Sequence, residues 1–358
     1  IAIGEQQLDA ISGLLTTDGS RMSQIHLRRF DRGGGQMWNI PHVGTANQPN
    51  RADVVMLGPN GATLILGHYG PIRKARHFLI KAGIDGKESS KRLLGQAGWS
   101  IKDVHATPDG GFLLSGSIPL PGPGYAQATW LLKLDATGDY VGEAKFDDVD
   151  GKVVAVRPDG ALLFYGRPIV NGRFGPDNIL ALLDAQGSQQ WRRSIQLPDA
   201  DGDSVALHQF HLRPDGGLLA LGSALDLSSK NKRRKARLAV GRIASDGNLE
   251  HIELRPTAFE SVSVMALAPG NAKGDVVVGI YGQTTFGDRG DGVLLSLDAQ
   301  SGAEKARQEL PQLLINSMLR HPDGSLLVAG REITSFSVDR RGNYHESANG
   351  VIAKLNGP

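Results

Sequence analysis

The segment Val104-His-Ala-Thr-Pro108-Asp109-Gly110-Gly-Phe-Leu-Leu-Ser-Gly116-Ser117 returns along the chain at a nearly constant interval. It recurs as Val154-Ala-Val-Arg-Pro158-Asp159-Gly160-Ala-Leu-Leu-Phe-Tyr-Gly166 and as Phe210-His-Leu-Arg-Pro214-Asp215-Gly216-Gly-Leu-Leu-Ala-Leu-Gly222-Ser223. A further copy is Met318-Leu-Arg-His-Pro322-Asp323-Gly324-Ser-Leu-Leu-Val-Ala-Gly330. Looser copies occupy Met56 to Gly67, with Pro59-Asn60-Gly61, and Ala266 to Gly279, with Pro269-Gly270. The prolines at 59, 108, 158, 214, 269 and 322 step by 49, 50, 56, 55 and 53 residues, so the chain is a tandem array of similar units.

Each copy reads as two strands joined by a tight turn. Pro presets φ at the first turn position, Asp or Asn tolerates the next, and Gly takes the positive φ. Short apolar runs such as Leu218 to Leu221 suit strands buried on both faces. A second element follows each hairpin: Trp130-Leu-Leu-Lys-Leu134-Asp135-Ala-Thr-Gly138, Ile179 to Trp191, and Val293 to Gly302, with weaker forms at Phe78 to Gly86 and Leu238 to Gly247. It supplies a third strand, an Asp–Gly turn and a fourth strand. Four strands in a period of about fifty residues describe a blade of a β-propeller.

The sequence therefore predicts an all-β propeller of four-stranded antiparallel blades, seven in preference to six, forming a single domain over 1–358. The expected blades are 10–45, 51–95, 101–146, 151–197, 203–255, 261–310 and 314–356, with residues 1–5 completing the last. The first blade rests on Gly13 to Gly19, a poor hairpin, and on Ile25 to Trp38, a good third-strand element. The chain ends on a third strand, Val351 to Leu355, so Ala2-Ile3 is expected to add the fourth and leave no open sheet edge.

Composition narrows the chemistry. The 358 residues carry 39 Lys and Arg against 37 Asp and Glu, a net charge of +2, which is too small for a general polyanion binder. The absence of cysteine excludes disulfides, thiolate nucleophiles, zinc ribbons and iron–sulfur ligation. No apolar run reaches the roughly 18 residues of a membrane span. The start at Ile1, without Met, predicts trimming, either of a signal peptide or of the chain itself.

The combination of a Pro-Asp-Gly hairpin with Leu183-Asp184-Ala-Gln-Gly187-Ser-Gln-Gln-Trp191, echoed from Phe30 to Trp38, resembles the bacterial quinoprotein-like and seven-bladed propeller repeat groups. Other blades replace the Trp with Gly142, His251, Ala306 or Ser90. Quinone-dependent members of that group are dehydrogenases that use pyrroloquinoline quinone with calcium, some with a vicinal cysteine pair. This chain has no cysteine and no evident cofactor cage. The resemblance thus points to the non-catalytic members, envelope scaffolds and partner-binding proteins, and to a periplasmic, lipid-anchored or secreted location, with no cofactor and no metal.

In a blade, the first-to-second and third-to-fourth turns share one face, and the second-to-third loops share the other. The first set here is short and repetitive. The second is long: Tyr69–His77, Ile118–Thr129, Arg167–Asn178, Ala224–Arg237, Gln283–Gly292 and Glu332–Asn349. Long loops on a rigid scaffold are where binding surfaces are found. These loops are basic, and the candidate partner-binding residues are Arg73, Lys74, Arg76, His77, Arg167, Arg173, Lys232, Arg233, Arg234, Arg289, Arg331 and Arg340. Two readings stay open for them: a positive rim for an acidic protein, anionic glycan or lipid headgroup, or a solvated surface that keeps the protein soluble. Nucleic acid is disfavoured because no aromatic residues interleave the charges.

Other signals are weaker. Asp199, Asp201 and Asp203 have a calcium-loop spacing, but Gly202 is misplaced and the twelfth-position Glu is missing, so a turn is expected. His208 and His211, three apart on a strand, point to opposite faces and argue against a shared metal. His105 and His321 precede turns and read as structural. Arg289-Gly290-Asp291 is too short a match to carry meaning. Trp38, Trp99, Trp130 and Trp191 read as packing between blades. No nucleophile elbow, zinc-protease helix or phosphate-binding loop occurs. The expected function is a non-catalytic protein-binding propeller of the bacterial envelope or exterior. The alternative is a glycan or lactone hydrolase or lyase with its site at a central channel mouth.

Overall fold

A computed structural model describes residues 2–3, 8–15, 23–31, 35–42, 50–70, 74–120, 127–175, 177–197, 204–225, 236–270, 274–284, 290–320, 324–338 and 344–355. The chain divides into two compact units, Ile1–Arg192 and Arg193–Pro358.

In the first unit, one sheet holds β1 (Ala2–Ile3), β2 (Leu8–Leu15), β3 (Ser23–Phe30) and β4 (Gln36–His42). The next holds β5 (Asn50–Leu57), β6 (Thr63–Tyr69), β7 (Arg76–Ala82) and β8 (Glu88–Leu94). The third holds β9 (Ser100–Ala106), β10 (Phe112–Pro119), β11 (Gln127–Leu134) and β12 (Tyr140–Phe146). The fourth runs β13 (Val149–Val156), β14 (Leu162–Val170), β16 (Asn178–Leu183) and β17 (Gln189–Ile195), with the short β15 (Arg173–Phe174) paired to β14.

The second unit contains β18 (Ser204–Leu212), β19 (Leu218–Leu225), β20 (Ala236–Ile243) and β21 (Leu249–Pro256) in one sheet. Another holds β22 (Ser261–Pro269), β23 (Asp275–Gln283), β24 (Gly290–Asp298) and β25 (Glu304–Leu310). The last has β26 (Leu313–Arg320), β27 (Leu326–Val338) and β28 (Tyr344–Leu355). Every pairing is between antiparallel neighbours, and the fold is a β-propeller.

The expectation of seven four-stranded blades is corrected to six, because among the described residues the last sheet has three strands. Ala2-Ile3 does not complete it. These residues pair with Asp9 and Leu8 of β2 instead. A partner a few residues away costs far less loop-closure entropy than one at the far terminus. Two expected irregular loops are also regular. The segment read as the loop Glu332–Asn349 continues the ladder of β27 and β28 out to the pair Val338 and Tyr344. The segment Arg167–Asn178 contains the end of β14 and all of β15.

Alternation explains why the hairpin runs are apolar without interruption. In β6, Ile65 packs with Ile25 and Leu27 of the preceding sheet. Its neighbours Leu64 and Leu66 pack with Leu114 and Trp130 of the following one. Both faces of each strand are thus buried, which is the arrangement a stack of small sheets requires. Trp99 and Trp130 are buried here with ring centroids 5.0 Å apart, consistent with a packing role.

The Pro-Asp-Gly turns close by the chemistry read from the sequence. Gly110 has φ +79°, its N–H donates to the Thr107 carbonyl, and Asp109 Oδ1 accepts from the Gly111 N–H. The Lys133 ammonium and the Thr107 hydroxyl hold the Asp109 carboxyl down at about 2. The third-to-fourth turns repeat the device, with Asp135 and Asp184 each accepting two backbone N–H groups on one oxygen. Arginines then join successive sheets at this end. Arg92 donates to the Gly138 carbonyl and, one unit later, Arg255 donates to the Gly302 carbonyl. Arg29, fully buried, donates to the carbonyls of Ile84 and Gly61 and stacks on Trp38.

Candidate functional site

The opposite end of the second blade is assembled differently. Gly67 closes the repeated apolar run, and a Cβ there would lie 2.3 Å from the Arg51 carbonyl oxygen and 2.6 Å from the Phe78 ring. Only glycine permits that approach. Facing it, β5 carries a bulge: Ala52 pairs with Gly67 and Val54 with Leu66, so Asp53 is the extra residue. Bulges re-aim a side chain, and the Asp53 carboxylate meets His68 on the neighbouring strand, Oδ2 to Nδ1 at 2.7 Å. His68 in turn sits directly across from His77 on β7, with ring centroids 5.6 Å apart and tilted by 57°.

Burial is graded across the three. The side chains of Asp53 and His68 are 27% and 20% exposed, and His77 is 5% exposed. His77 Nε2 lies 2.9 Å from the Trp99 carbonyl oxygen. That oxygen can only accept, so Nε2 carries the proton. Nδ1 is buried and has no hydrogen-bond partner among the described residues. Burial holds the His77 pKa below its ordinary value, and the charge of Asp53 and the Trp99 carbonyl offset this only in part. The ring is therefore neutral at neutral pH. Trp99 is itself fixed by its packing on Trp130, and the adjacent connection is tied back by a Gly98 N–H to Ala75 carbonyl bond.

The basic residues expected to face a partner divide into several cases. Lys74 and Arg76 are exposed at this same end of the second blade, while His77, grouped with them in the sequence, points into the protein. Arg167 and Arg173 are exposed and belong to one hairpin, in which Arg173 pairs with Val170. Asn171 and Gly172 occupy its turn with φ of 52° and 72°, the two positive values of a type I′ turn. The Arg167 guanidinium lies 5.3 Å from the Phe174 ring and donates to the Gly175 carbonyl. Phe174 and Val170 remain 41% and 57% exposed. Arg331, on β27, is exposed in the second unit. Arg73, Lys232, Arg233, Arg234, Arg289 and Arg340 lie outside the described residues, as do Asp199, Asp201 and Asp203.

Charged groups on the first strands of the third and fourth blades are paired. Lys102 meets Asp150 at 2.5 Å and Lys152 meets Asp103 at 2.8 Å. His105 Nε2 contacts the Val153 carbonyl, in keeping with a structural role. Asp53 and His68 were not singled out from the sequence. The signal was present in the hairpin register, since two histidines placed symmetrically about one loop must face each other across the ladder.

No family model matches the chain, and no curated protein matches it in sequence. Among solved structures, it is similar to an acylaminoacyl peptidase in complex with Z-Gly-Gly-Phe-chloromethyl ketone, at 10% identity and a TM-score of 0.50, covering 99% of this chain and 51% of that one. A Pyrococcus horikoshii acylaminoacyl peptidase gives 10% identity, a TM-score of 0.49, and coverages of 97% and 50%. The quinohemoprotein alcohol dehydrogenase from Comamonas testosteroni gives 11% identity, a TM-score of 0.46, and coverages of 86% and 61%. The chain thus spans about half to three fifths of the length of these proteins. Likeness at this identity concerns the β-propeller fold alone.

Proposed function

We propose that this chain is a non-catalytic binding propeller that holds an acidic partner protein with the loop ends of its blades, at the bacterial envelope or exterior. The observation that carries the reading is the hairpin from Arg167 to Gly175. It presents the exposed Phe174 beside Arg167 on one face, and the exposed Val170 paired with Arg173 on the other. Aromatic residues and Arg are the groups that dominate protein interfaces. The type I′ turn and the Arg167 contacts hold the hairpin in one shape, so little ordering entropy is lost on binding. Lys74, Arg76 and Arg331 extend the positive surface in their own blades, and Arg73, Lys232, Arg233, Arg234, Arg289 and Arg340 belong to the same reading. The envelope location rests on the resemblance of the Leu183 to Trp191 element to propeller scaffolds of that compartment. No helix among the described residues is long and apolar enough to cross a membrane.

The test is capture of partners on the intact protein, followed by affinity measurement with variants. Phe174→Ala is expected to weaken a captured complex by roughly tenfold or more. Charge reversal at Arg167 and Arg173 lowers the association rate and its salt dependence. Binding unchanged by all three substitutions, and by reversal at Arg73, Arg76, Arg233 and Arg234, overturns the assignment. Retention only on anionic glycans or lipids would also replace the protein partner.

A further inference from the structure

From the geometry of Asp53, His68 and His77 we infer a binding site for a divalent transition-metal cation of the zinc class at the loop end of the second blade. The inference is independent of the proposed partner binding.

Each of the three side chains offers a donor atom within 4.8 Å of the other two. Two imidazoles and a carboxylate form a mixed nitrogen–oxygen set that suits zinc and its first-row neighbours rather than calcium or magnesium. Donors around tetrahedral zinc stand roughly 3.3 Å apart, given metal–ligand bonds of about 2.0–2.1 Å. Asp53 Oδ2 and His68 Nδ1, 2.7 Å apart, would open by roughly 0.6 Å to reach that spacing, an adjustment these two partly exposed side chains can supply by rotation.

The second observation concerns His77 alone. Its Nε2–H is committed to the Trp99 carbonyl, and its Nδ1 lone pair is buried and unpartnered. Leaving such an atom unsatisfied costs about 1–3 kcal/mol. A carbonyl behind the imidazole is also the usual outer-shell partner of a metal-ligating histidine, because it sets the tautomer and the ring plane. Three protein donors leave one coordination position for water or an anionic group. Without a cation, Asp53 and His68 bond to each other, and Arg51 Nε stands 3.5 Å from the second Asp53 oxygen. Arg51 is well exposed and can swing away when a cation enters.

Zinc binding to the full chain by calorimetry, and the visible absorption of added cobalt(II), test the site near neutral pH. The wild type is expected to bind one tight equivalent and to give a ligand-field band. His68→Ala and Asp53→Asn are each expected to weaken zinc by roughly tenfold or more, scaled on the loss from perturbing even an outer-shell partner. Asp53→Asn keeps the side-chain shape and so remains informative if His68→Ala fails to fold. Arg51→Ala is expected to tighten binding by about twofold, as removal of an exposed competing charge should. His208→Ala and His251→Ala, at exposed histidines elsewhere, leave it unchanged. Absence of a tight equivalent in the wild type overturns the inference. So does zinc affinity that survives both His68→Ala and Asp53→Asn, which would make His77 a structural histidine.

Discussion

At one end of the second blade, Pro59, Asn60 and Gly61 carry the chain from β5 to β6, and Arg29 of the first blade caps the Gly61 carbonyl. At the other end of the same two strands, Asp53 and His68 meet next to a bulge, beside a buried imidazole nitrogen with no partner. The turn end is built from a repeated device: Asp side chains accept the turn N–H groups, and arginines donate to carbonyls of the neighbouring sheet. The loop end keeps unspent bonding capacity and varies between blades, from the Asp53 cluster to the Arg167 hairpin. A repeat protein can hold one end constant for stability while the other diversifies.

The largest expected effect asks whether the loop end is slack or merely different. A Cβ on Gly116 would lie 1.9 Å from the Ser100 carbonyl oxygen. Gly116→Ala should therefore cost about 3 kcal/mol or more in denaturant unfolding, as backbone-clash substitutions do. A loss below about 1 kcal/mol would mean the strand yields and this end is soft.

Next, Arg29→Met removes the capped link between the first and second blades. It removes the guanidinium from the part-buried Ile84 and Gly61 carbonyls and from the Thr63 hydroxyl, and a loss of about 1–3 kcal/mol is expected. A neutral result would show that water replaces the guanidinium and that the turn end is less finished than its contacts suggest.

Acid should separate the two ends. Asp109 and Asp298 titrate at about 2, the first held by Lys133 and Thr107, the second by Ser301 and Lys305. Depressed carboxyl pKa values stabilise the fold above the ordinary value of 3.8, and this contribution disappears as pH falls from about 4 to about 2. His77 has a lowered pKa, so the native state resists a proton that the unfolded chain takes up. Its contribution is complete above 6.5 and falls away as pH drops below that value. Melting temperature against pH should thus decline first below 6.5, a step that His77→Gln reduces and that His211, also lowered by burial, shares, and again in the Asp range, a step that Asp109→Asn reduces. A single decline in the carboxylate range would contradict the placement of His77.

The smallest effects belong to the exposed charges. Lys74→Ala and Arg173→Ala should alter stability by no more than about 0.5 kcal/mol, while Arg173→Ala weakens partner binding. A large change in stability would show these residues to be structural and would remove them from the binding surface.

Much of the turn end was legible in the amino-acid sequence, and little of the loop end was. Pro-Asp-Gly and Asp-Ala-x-Gly work through contacts within five residues, so their chemistry can be read where it stands. The Asn171-Gly172 hairpin was equally local, and attending to its loop length alone concealed it. The Asp53 cluster was not local. It depends on which residue of β5 is extruded opposite Gly67, and on a carbonyl from Trp99, 22 residues beyond His77.

By itself the sequence determined the period, the strand-turn alternation, the apolar runs buried on both faces and hence the β-propeller, because those follow from short-range sterics and patterning. Only the tertiary structure decided that six sheets are complete, that Ala2-Ile3 stays with its neighbour β2, and that His77 turns inward. Those outcomes depend on strand register and inter-blade packing. They are settled by close approaches between strands, of which Gly67, Gly116 and Gly222, beside the bulges of β5, β9 and β18, are the visible trace.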